Sequence, residues 1–301
     1  MEENAKAMVM ASFVADALSL GAHWMYDPQK IQEKFGRVDR LIEPQPQSFH
    51  KNKGKGAFTH YGDQMMVLLA SVAEKGAFDP ADFSERWRQL FDHYDGYFDM
   101  ATKKTLANYK EGKPPEEAGS QSDDLAGASR IAPVVCRYRD DPDRLAEAAE
   151  TQARMTHGDP ATVESAAYFA RVAQAVLAGK APTEAMKSVA EAHFDVSPVS
   201  AWLQKGLATV DRDSVEVIGE FGRSCHTGEM FPGVVHLIAK YEKDLKEALI
   251  QCVMTAGDSA ARGALVGMVL GAHHGIGDLP EEWFEEMNAT ETIRKHLEKM
   301  A

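Results

Sequence analysis

Hydrophobic positions recur at helical spacing along almost the whole chain. In residues 2–21, Ala5, Met8, Val9, Ser12, Phe13, Ala15 and Leu18 form one face, which Asp16 interrupts. Asp27-Pro28 opens a short helix through Phe35. Residues 36–62 carry Pro44, Pro46, Gly54, Gly56 and Gly62 and read as a loop. A loop of that length inside a compact domain is often functional. Asp63 caps a predicted helix from Gln64 to Glu74, with Met66, Leu69, Ala70 and Ala73 inward. Pro80 opens another to about Tyr97, striped by Phe83, Trp87, Leu90, Phe91 and Tyr94. A short helix and a polar loop fill residues 98–122. Further helices are predicted at 126–137, 142–155, 160–178, 229–241 and 244–254, and from Pro182, Pro198, Ser214 and Pro280. Pro133 either kinks the first of these or marks a first turn.

The stretch from Thr255 to His273 organises the rest. Asp258 and Ser259 are good N-cap residues, because their side-chain oxygens accept bonds from free amides. Ala261, Ala264, Leu265, Met268, Val269 and Ala272 follow on one helical face. Gly263, Gly267 and Gly271 form a second row, four residues apart. Each glycine costs a helix interior roughly 1 kcal/mol against alanine, so the row implies close approach of another backbone. Period-two alternation is almost absent. The expected fold class is therefore all-α, a single domain over 1–301 with roughly ten to fourteen helices of ordinary length.

Charge narrows the partners. The chain has 33 basic and 46 acidic residues and a net charge of −13. That argues against nucleic acid or an anionic membrane as the main partner, although Lys51, Lys53 and Lys55 form a small basic group. Cys136, Cys225 and Cys252 lie far apart without CxxC or zinc spacing, which implies free thiols and a cytoplasmic location. The apolar run 7–22 is interrupted by Asp16 and is short for a membrane span or signal segment.

Four loop-to-helix junctions place Asp beside Ser, Thr or Gln: Thr59 to Gln64, Ser120 to Asp124, Thr156 to Pro160 and Ala256 to Ser259. Such oxygens suit Mg²⁺, and helix N-termini suit phosphates. The plain alternative is four N-caps, and spacing alone favours it. His23, His60, His157, His226, His273 and His274 lie near these junctions. His60 and His157 come first, because a loop Asp follows each closely. There is no HExxH, no Ser-His-Asp elbow, no P-loop and no GxGxxG after a strand, which argues against an ordinary ATPase or a nicotinamide dehydrogenase.

Six segments taken together are more specific. They are Ala15-Asp-Ala-Leu18 before Gly21, Gly62-Asp-Gln-Met-Met-Val-Leu68, Gly127 to Pro133, Thr156-His157, Gly257 to Gly263 with Gly267 and Gly271, and Leu279-Pro280 with Trp283. In this order the chain resembles the ADP-ribosylglycohydrolase family, which includes dinitrogenase reductase-activating glycohydrolases and jellyfish J1 crystallin. The segments stand in place of the family's GDALG, TDDT-x-M-x-L, G-x-A-M-R-I-A-P, TH, GGDTDT and I-P-x-x-W motifs. The resemblance implies an orthogonal multi-helix bundle. It also implies a cleft where two Mg²⁺ or Mn²⁺ ions are held by Thr-Asp-Asp of one motif and Asp-x-Asp-Thr of the other. ADP-ribose binds there, and its bond to an acceptor such as arginine is hydrolysed.

The chain departs from that pattern in its acids. Tyr61 and Gly62 stand for Thr and Asp in the first motif, and Ala260 and Ala261 replace the second Asp and the Thr of the last. Two crowded divalent ions need several anions. The expectation is one Mg²⁺ or Mn²⁺ held by Asp63, Asp258, Ser259 and waters, or no metal. Asp63 and Asp258 are the candidate catalytic residues, and His23, His60, Tyr61, Gln64, Asp124, Gly127 and His157 the candidate substrate contacts. The reaction implied is hydrolysis of an ADP-ribosyl or related nucleotide-sugar bond, on a small molecule or an ADP-ribosylated protein. The alternatives are a nucleotide- or sugar-binding protein without turnover and a crystallin-like structural protein.

Overall fold

The computed structural model describes residues 2–300, which form eighteen helices and no strand beyond two isolated bridges. In order these are α1 (Glu2–Ser19), α2 (Pro28–Phe35), α3 (His60–Lys75), α4 (Pro80–Asp92), α5 (Met100–Lys110) and α6 (Pro115–Ala118). Then come α7 (Ala126–Ser129), α8 (Ala132–Tyr138), α9 (Pro142–Arg154), α10 (Pro160–Leu177), α11 (Pro182–His193) and α12 (Pro198–Leu207). The last six are α13 (Ser214–Phe221), α14 (Thr227–Lys240), α15 (Leu245–Met254), α16 (Ser259–His274), α17 (Glu281–Glu286) and α18 (Thr290–Lys299). The fold is all-α, as the periodicity predicts. No helix is long and apolar enough to cross a membrane.

The helix count exceeds the expected range because three predicted helices end early or split. The segment opened by Pro80 stops at Asp92, and residues 93–99 form a loop. The predicted 126–137 helix is two, with Pro133 in the first turn of the second. The C-terminal helix is also two, because the Asn288 amide bonds to the Gly56 carbonyl at 2.9 Å instead of continuing the ladder.

The centre of the fold is the pairing of α1 with α16. All of α16 from Ser259 to Ala272 is buried, as is α1 from Ala7 to Ser19. The glycine row of α16 faces α1, as expected. A Cβ on Gly267 would stand 2.6 Å from the Ala11 carbonyl oxygen, and one on Gly271 would stand 2.7 Å from Ala11 Cβ. Ser12 Oγ donates to Ala264 O at 3.1 Å across the same contact. Nothing bulkier than hydrogen fits between the two backbones. This packing fixes the N-terminus of α16 beside the C-terminal half of α1 and thereby sets the site.

Replacing Gly267 with valine forces backbone movement in a close-packed core. We expect Gly267→Val to lower unfolding free energy by about 2–3 kcal/mol in urea titrations, despite the cost glycine itself carries in a helix. Gly277→Ala, with open space around the added carbon, should stay within about 0.5 kcal/mol of wild type.

Candidate functional site

The loop before α16 is pinned at nearly every polar group, which aims Asp258. Arg223 Nε donates to Thr255 O at 2.9 Å, and buried Arg262 donates to Ala256 O at 2.6 Å and to Cys252 O at 2.9 Å. Gly257 exchanges backbone bonds with the turn after α1, from Trp24 N at 3.0 Å and to Met25 O at 2.7 Å. The Asp258 amide donates to Arg223 O at 3.1 Å. Ala256 and Trp24 have φ of 67° and 61°, in the left-handed region that non-glycine residues rarely enter. Such strain persists where surrounding bonds over-determine it, often at functional sites. Asp258 caps α16, with Oδ1 accepting from the Ala261 amide at 3.2 Å. Its Oδ2 accepts from the Tyr61 hydroxyl at 3.0 Å, and His23 Nδ1 lies 3.9 Å from Oδ1. Burial pushes the Asp258 carboxyl up to about 6, although bonds from Tyr61 and the Ala261 amide oppose the rise.

Asp16 organises the opposite wall. Its buried carboxylate accepts from the Thr59 amide at 2.8 Å, the Thr59 hydroxyl at 2.6 Å and the Gly62 amide at 3.1 Å. It thereby satisfies the first amides of α3. The cap of α3 is Thr59, not Asp63 as the sequence suggests. Asp63 lies in the first turn and bonds to Lys53 Nζ and the Tyr94 hydroxyl, both at 2.5 Å. It shares no partner with Asp258. With Thr59 as cap, His60 and Tyr61 are the side chains at the start of α3 that face the α16 cap. His60 Nε2 lies 3.1 Å from Asp99 Oδ2. Burial raises the Asp99 carboxyl, but the bond from His60, the nearby imidazoles and the Thr102 amide outweigh it, leaving Asp99 well below the usual carboxylate range.

A roof of rings closes over these groups. Trp24, Phe49 and Tyr97 come from three different loops, with centroids 4.8 to 5.4 Å apart. His23, His50 and His60 lie beneath, at 5.2, 5.6 and 6.4 Å from one another. His23 Nε2, both nitrogens of His50, His60 Nδ1 and Ser259 Oγ are buried without a hydrogen-bond partner. Buried polar atoms are nearly always paired, so this concentration marks a place that water or ligand must complete. Burial, followed by neighbouring imidazoles, holds His50 down at about 3 and His23 well below its ordinary value.

The other two junctions join the same end of the bundle. Ser120 Oγ donates to Thr156 O at 2.7 Å, and the Gly158 amide donates to Ser120 O at 2.6 Å. Gly127 is required where it stands, because a Cβ there would meet His157 Cβ at 2.7 Å and its ring Cγ at 2.8 Å. His157 Nδ1 lies 2.8 Å from Thr156 Oγ1, and its Nε2 is another buried atom without a partner. Burial and then Arg130 hold His157 down at about 3. Gln64 does not face a ligand. Its Oε1 accepts from Trp87 at 2.7 Å and Arg130 at 3.1 Å, and its Nε2 donates to His60 O at 2.9 Å. Asp124 is half-buried at the rim beside Cys225, whose thiol burial and the nearby Asp258 and Asp124 push up, leaving it a poor nucleophile. His273 and His274 sit at the far end of α16. Asp99, Trp24, His50 and Tyr97 were not anticipated. Asp99 reads as an ordinary cap of α5, and nothing in the sequence pairs it with His60, 39 positions away.

The residues present do not fit two divalent ions at the α3 and α16 caps. Gly62 cannot be the place of a carboxylate, since even a Cβ would meet Asp16 Oδ1 at 2.5 Å. Ala260 and Ala261 offer no ligand atoms, His60 is bound to Asp99, and Tyr61 to Asp258. Nor do Asp63, Asp258 and Ser259 converge as one ligand set, since Asp63 is committed to Lys53 and Tyr94. Among the described residues, the group whose donor atoms lie mutually within 4.8 Å is Asp123, Asp124 and His226, at the exposed rim. There His226 Nδ1 bonds to Asp123 Oδ1 at 2.9 Å.

The buried acids set a pH dependence. Burial raises the Asp16 carboxyl from 3.8 to about 6, so the folded chain binds this proton more tightly than the unfolded chain. The resulting stability is full below about pH 4 and is lost as pH rises through 6. Asp16→Asn lacks this contribution. The stability gap between wild type and Asp16→Asn should therefore widen by about 2 kcal/mol from pH 7 to pH 4.5, measured by chemical denaturation.

Comparison with known proteins agrees with this architecture. The ADP-ribosylglycohydrolase family profile matches residues 1–301. Crystallin J1A of Tripedalia cystophora is 23% identical, covering 100% of this chain and 97% of its own. The ADP-ribosyl-[dinitrogen reductase] glycohydrolase of Rhodospirillum rubrum is 24% identical, covering 81% of this chain and 79% of its own. A solved structure titled as an ADP-ribosylglycohydrolase-related protein complex superposes with a TM-score of 0.77 at 23% identity, over 99% of this chain and 97% of that one. The matched length, the motif order and the all-α fold together place this chain in the ADP-ribosylglycohydrolase family.

Proposed function

We propose that the chain, acting as one domain in the cytoplasm, hydrolyses a ribosyl glycosidic bond in an ADP-ribosyl compound, whether a small molecule or a modified protein. The observation that carries the reading is Asp258. It is a wholly buried carboxyl, bonded to Tyr61 and with His23 Nδ1 3.9 Å away, on a residue whose Nε2 is buried without a partner. A carboxyl held near 6 can give or take a proton at neutral pH, as glycosidic cleavage requires. Tyr61 and the Ala261 amide orient it, and His157 with the half-buried Asp124 offers polar contacts to the nucleotide part. Asp63 acts at a remove. It holds Lys53 and Tyr94, and through Lys53 the loop that carries Phe49 and His50. The rim group Asp123, Asp124 and His226 would hold Mg²⁺ or Mn²⁺, and an ion there would supply positive charge to a phosphate-bearing substrate.

The Asp and Thr of the family motif, replaced by Ala260 and Ala261, favour a second reading, in which the site holds ADP-ribose without cleaving its bonds. One experiment separates the two. Chromatographic release of ADP-ribose is followed from N-linked and O-linked ADP-ribosyl peptides, with calorimetry of ADP-ribose in parallel. Hydrolysis predicts turnover that falls by about 10²–10⁴ in Asp258→Ala, the range for loss of an acid–base group. Asp63→Ala should fall less and mainly through KM. Tight binding with no release from any probe would replace the first reading with the second.

A further inference from the structure

The two nitrogens of His60 stand in contrasting settings. Nε2 lies 3.1 Å from Asp99 Oδ2, while Nδ1 is buried with no partner. Asp99 is itself fixed. As the cap of α5 it accepts from the Thr102 amide at 2.6 Å, and only 5% of it is exposed. An ionised carboxylate only accepts, so it holds the imidazole hydrogen on Nε2 and leaves the Nδ1 lone pair free. His60 is held at its carbonyl by Gln64 and at its ring by Trp24, Tyr61 and Tyr97, whose centroids lie 5.3, 3.9 and 5.7 Å away. The free nitrogen is thus as rigidly placed as the bonded one. It belongs to the first residue of α3, and the next residue, Tyr61, bonds Asp258. The titratable groups around it are Asp99 and Tyr97 from the loop before α5, His23 and His50 from two of the roof loops, Asp16 on α1, Tyr61 on α3, His157 before α10 and Asp258 at the start of α16.

We propose that Asp99 is a positioning residue that presents His60 Nδ1 as the proton acceptor for the hydrolytic water, so that an imidazole–carboxylate pair stands in for paired metal ions at this site. The proposal rests on the hydrolytic reading above. As the water oxygen bonds to the anomeric carbon of the ribose, its proton passes to Nδ1. The bond from that carbon to the acceptor breaks, and its electron pair leaves with the acceptor. The acceptor takes a proton from the Asp258 carboxyl. The proton held by His60 then returns to Asp258 through solvent, so one water is consumed and both groups are restored.

The test pairs a spectrum with turnover. Asp99→Asn keeps the helix cap through its amide oxygen, because asparagine caps as well as aspartate, and turns the atom facing His60 Nε2 from an acceptor into a donor. Nitrogen-15 imidazole spectra of the substrate-free chain at pH 7, assigned with His60→Gln, report the tautomer directly. We expect the wild-type chain to carry the His60 hydrogen on Nε2 with Nδ1 bare, and Asp99→Asn to move that hydrogen to Nδ1. In ADP-ribose release, Asp99→Asn should lose about 10²–10⁴ in kcat with KM changed less than about threefold. A wild-type hydrogen on Nδ1, or an Asp99→Asn kcat within about threefold of wild type, would each overturn the proposal while leaving hydrolysis standing. A wild type that releases nothing from any probe would instead overturn the hydrolytic reading, and this inference with it.

Discussion

The close approach of α1 to α16 is the constraint on which the site depends. Backbone-to-backbone contact at Gly267 and Gly271 leaves no slack for sliding, because interiors are packed as densely as organic crystals. That contact sets where Asp16 leaves α1 and where Asp258 begins α16. The first acid then captures the N-terminus of α3, and the second meets Tyr61 in that helix's first turn. Three helices thus converge through two carboxylates, neither of which touches solvent. Each is raised by burial and drawn back by the groups that hold it. The arrangement is stiff and also primed for proton movement, and the two properties share one physical cause.

The same geometry explains how a cleft of this family can lose acids and keep its shape. At Gly62 the space beside the backbone is filled by Asp16 itself. At Ala260 and Ala261 the small side chains pack as core, while His60 and Tyr61 find partners in Asp99 and Asp258. Removing negative charge also removes the repulsion that cations would otherwise offset. Imidazoles and aromatic rings line this part of the interior, and several of their nitrogens are buried without partners.

The roof gives this interior a mobile-looking boundary built from firmly anchored parts. Its three rings come from separate loops, so none is fixed by a single helix. The loop bearing Phe49 is nonetheless tied down by Lys53 to Asp63, Asn52 to Asp95 and Lys55 to Glu286. The small basic group seen in the sequence is therefore largely consumed within the fold. Phe49 and Tyr26 remain more than half exposed at the rim, beside groups that are wholly enclosed.

The sequence by itself determined the all-α class, most helix starts and the glycine row, because these follow from local periodicity, capping chemistry and the cost of glycine within a few residues. It also made Asp258 prominent, since a cap before a buried small-residue helix is legible in one dimension. The order of its motifs carried the family. Only the tertiary structure decided which cap faces a cleft and which merely ends a helix. Asp63 looked equal to Asp258 in sequence, yet one meets Lys53 and Tyr94 while the other meets Tyr61. Gln64 looked available and is spent on Trp87, Arg130 and His60. Asp99 looked like a plain cap and also orients an imidazole 39 positions away. Side-chain partners of that kind are set by packing between distant segments, and no local pattern encodes them.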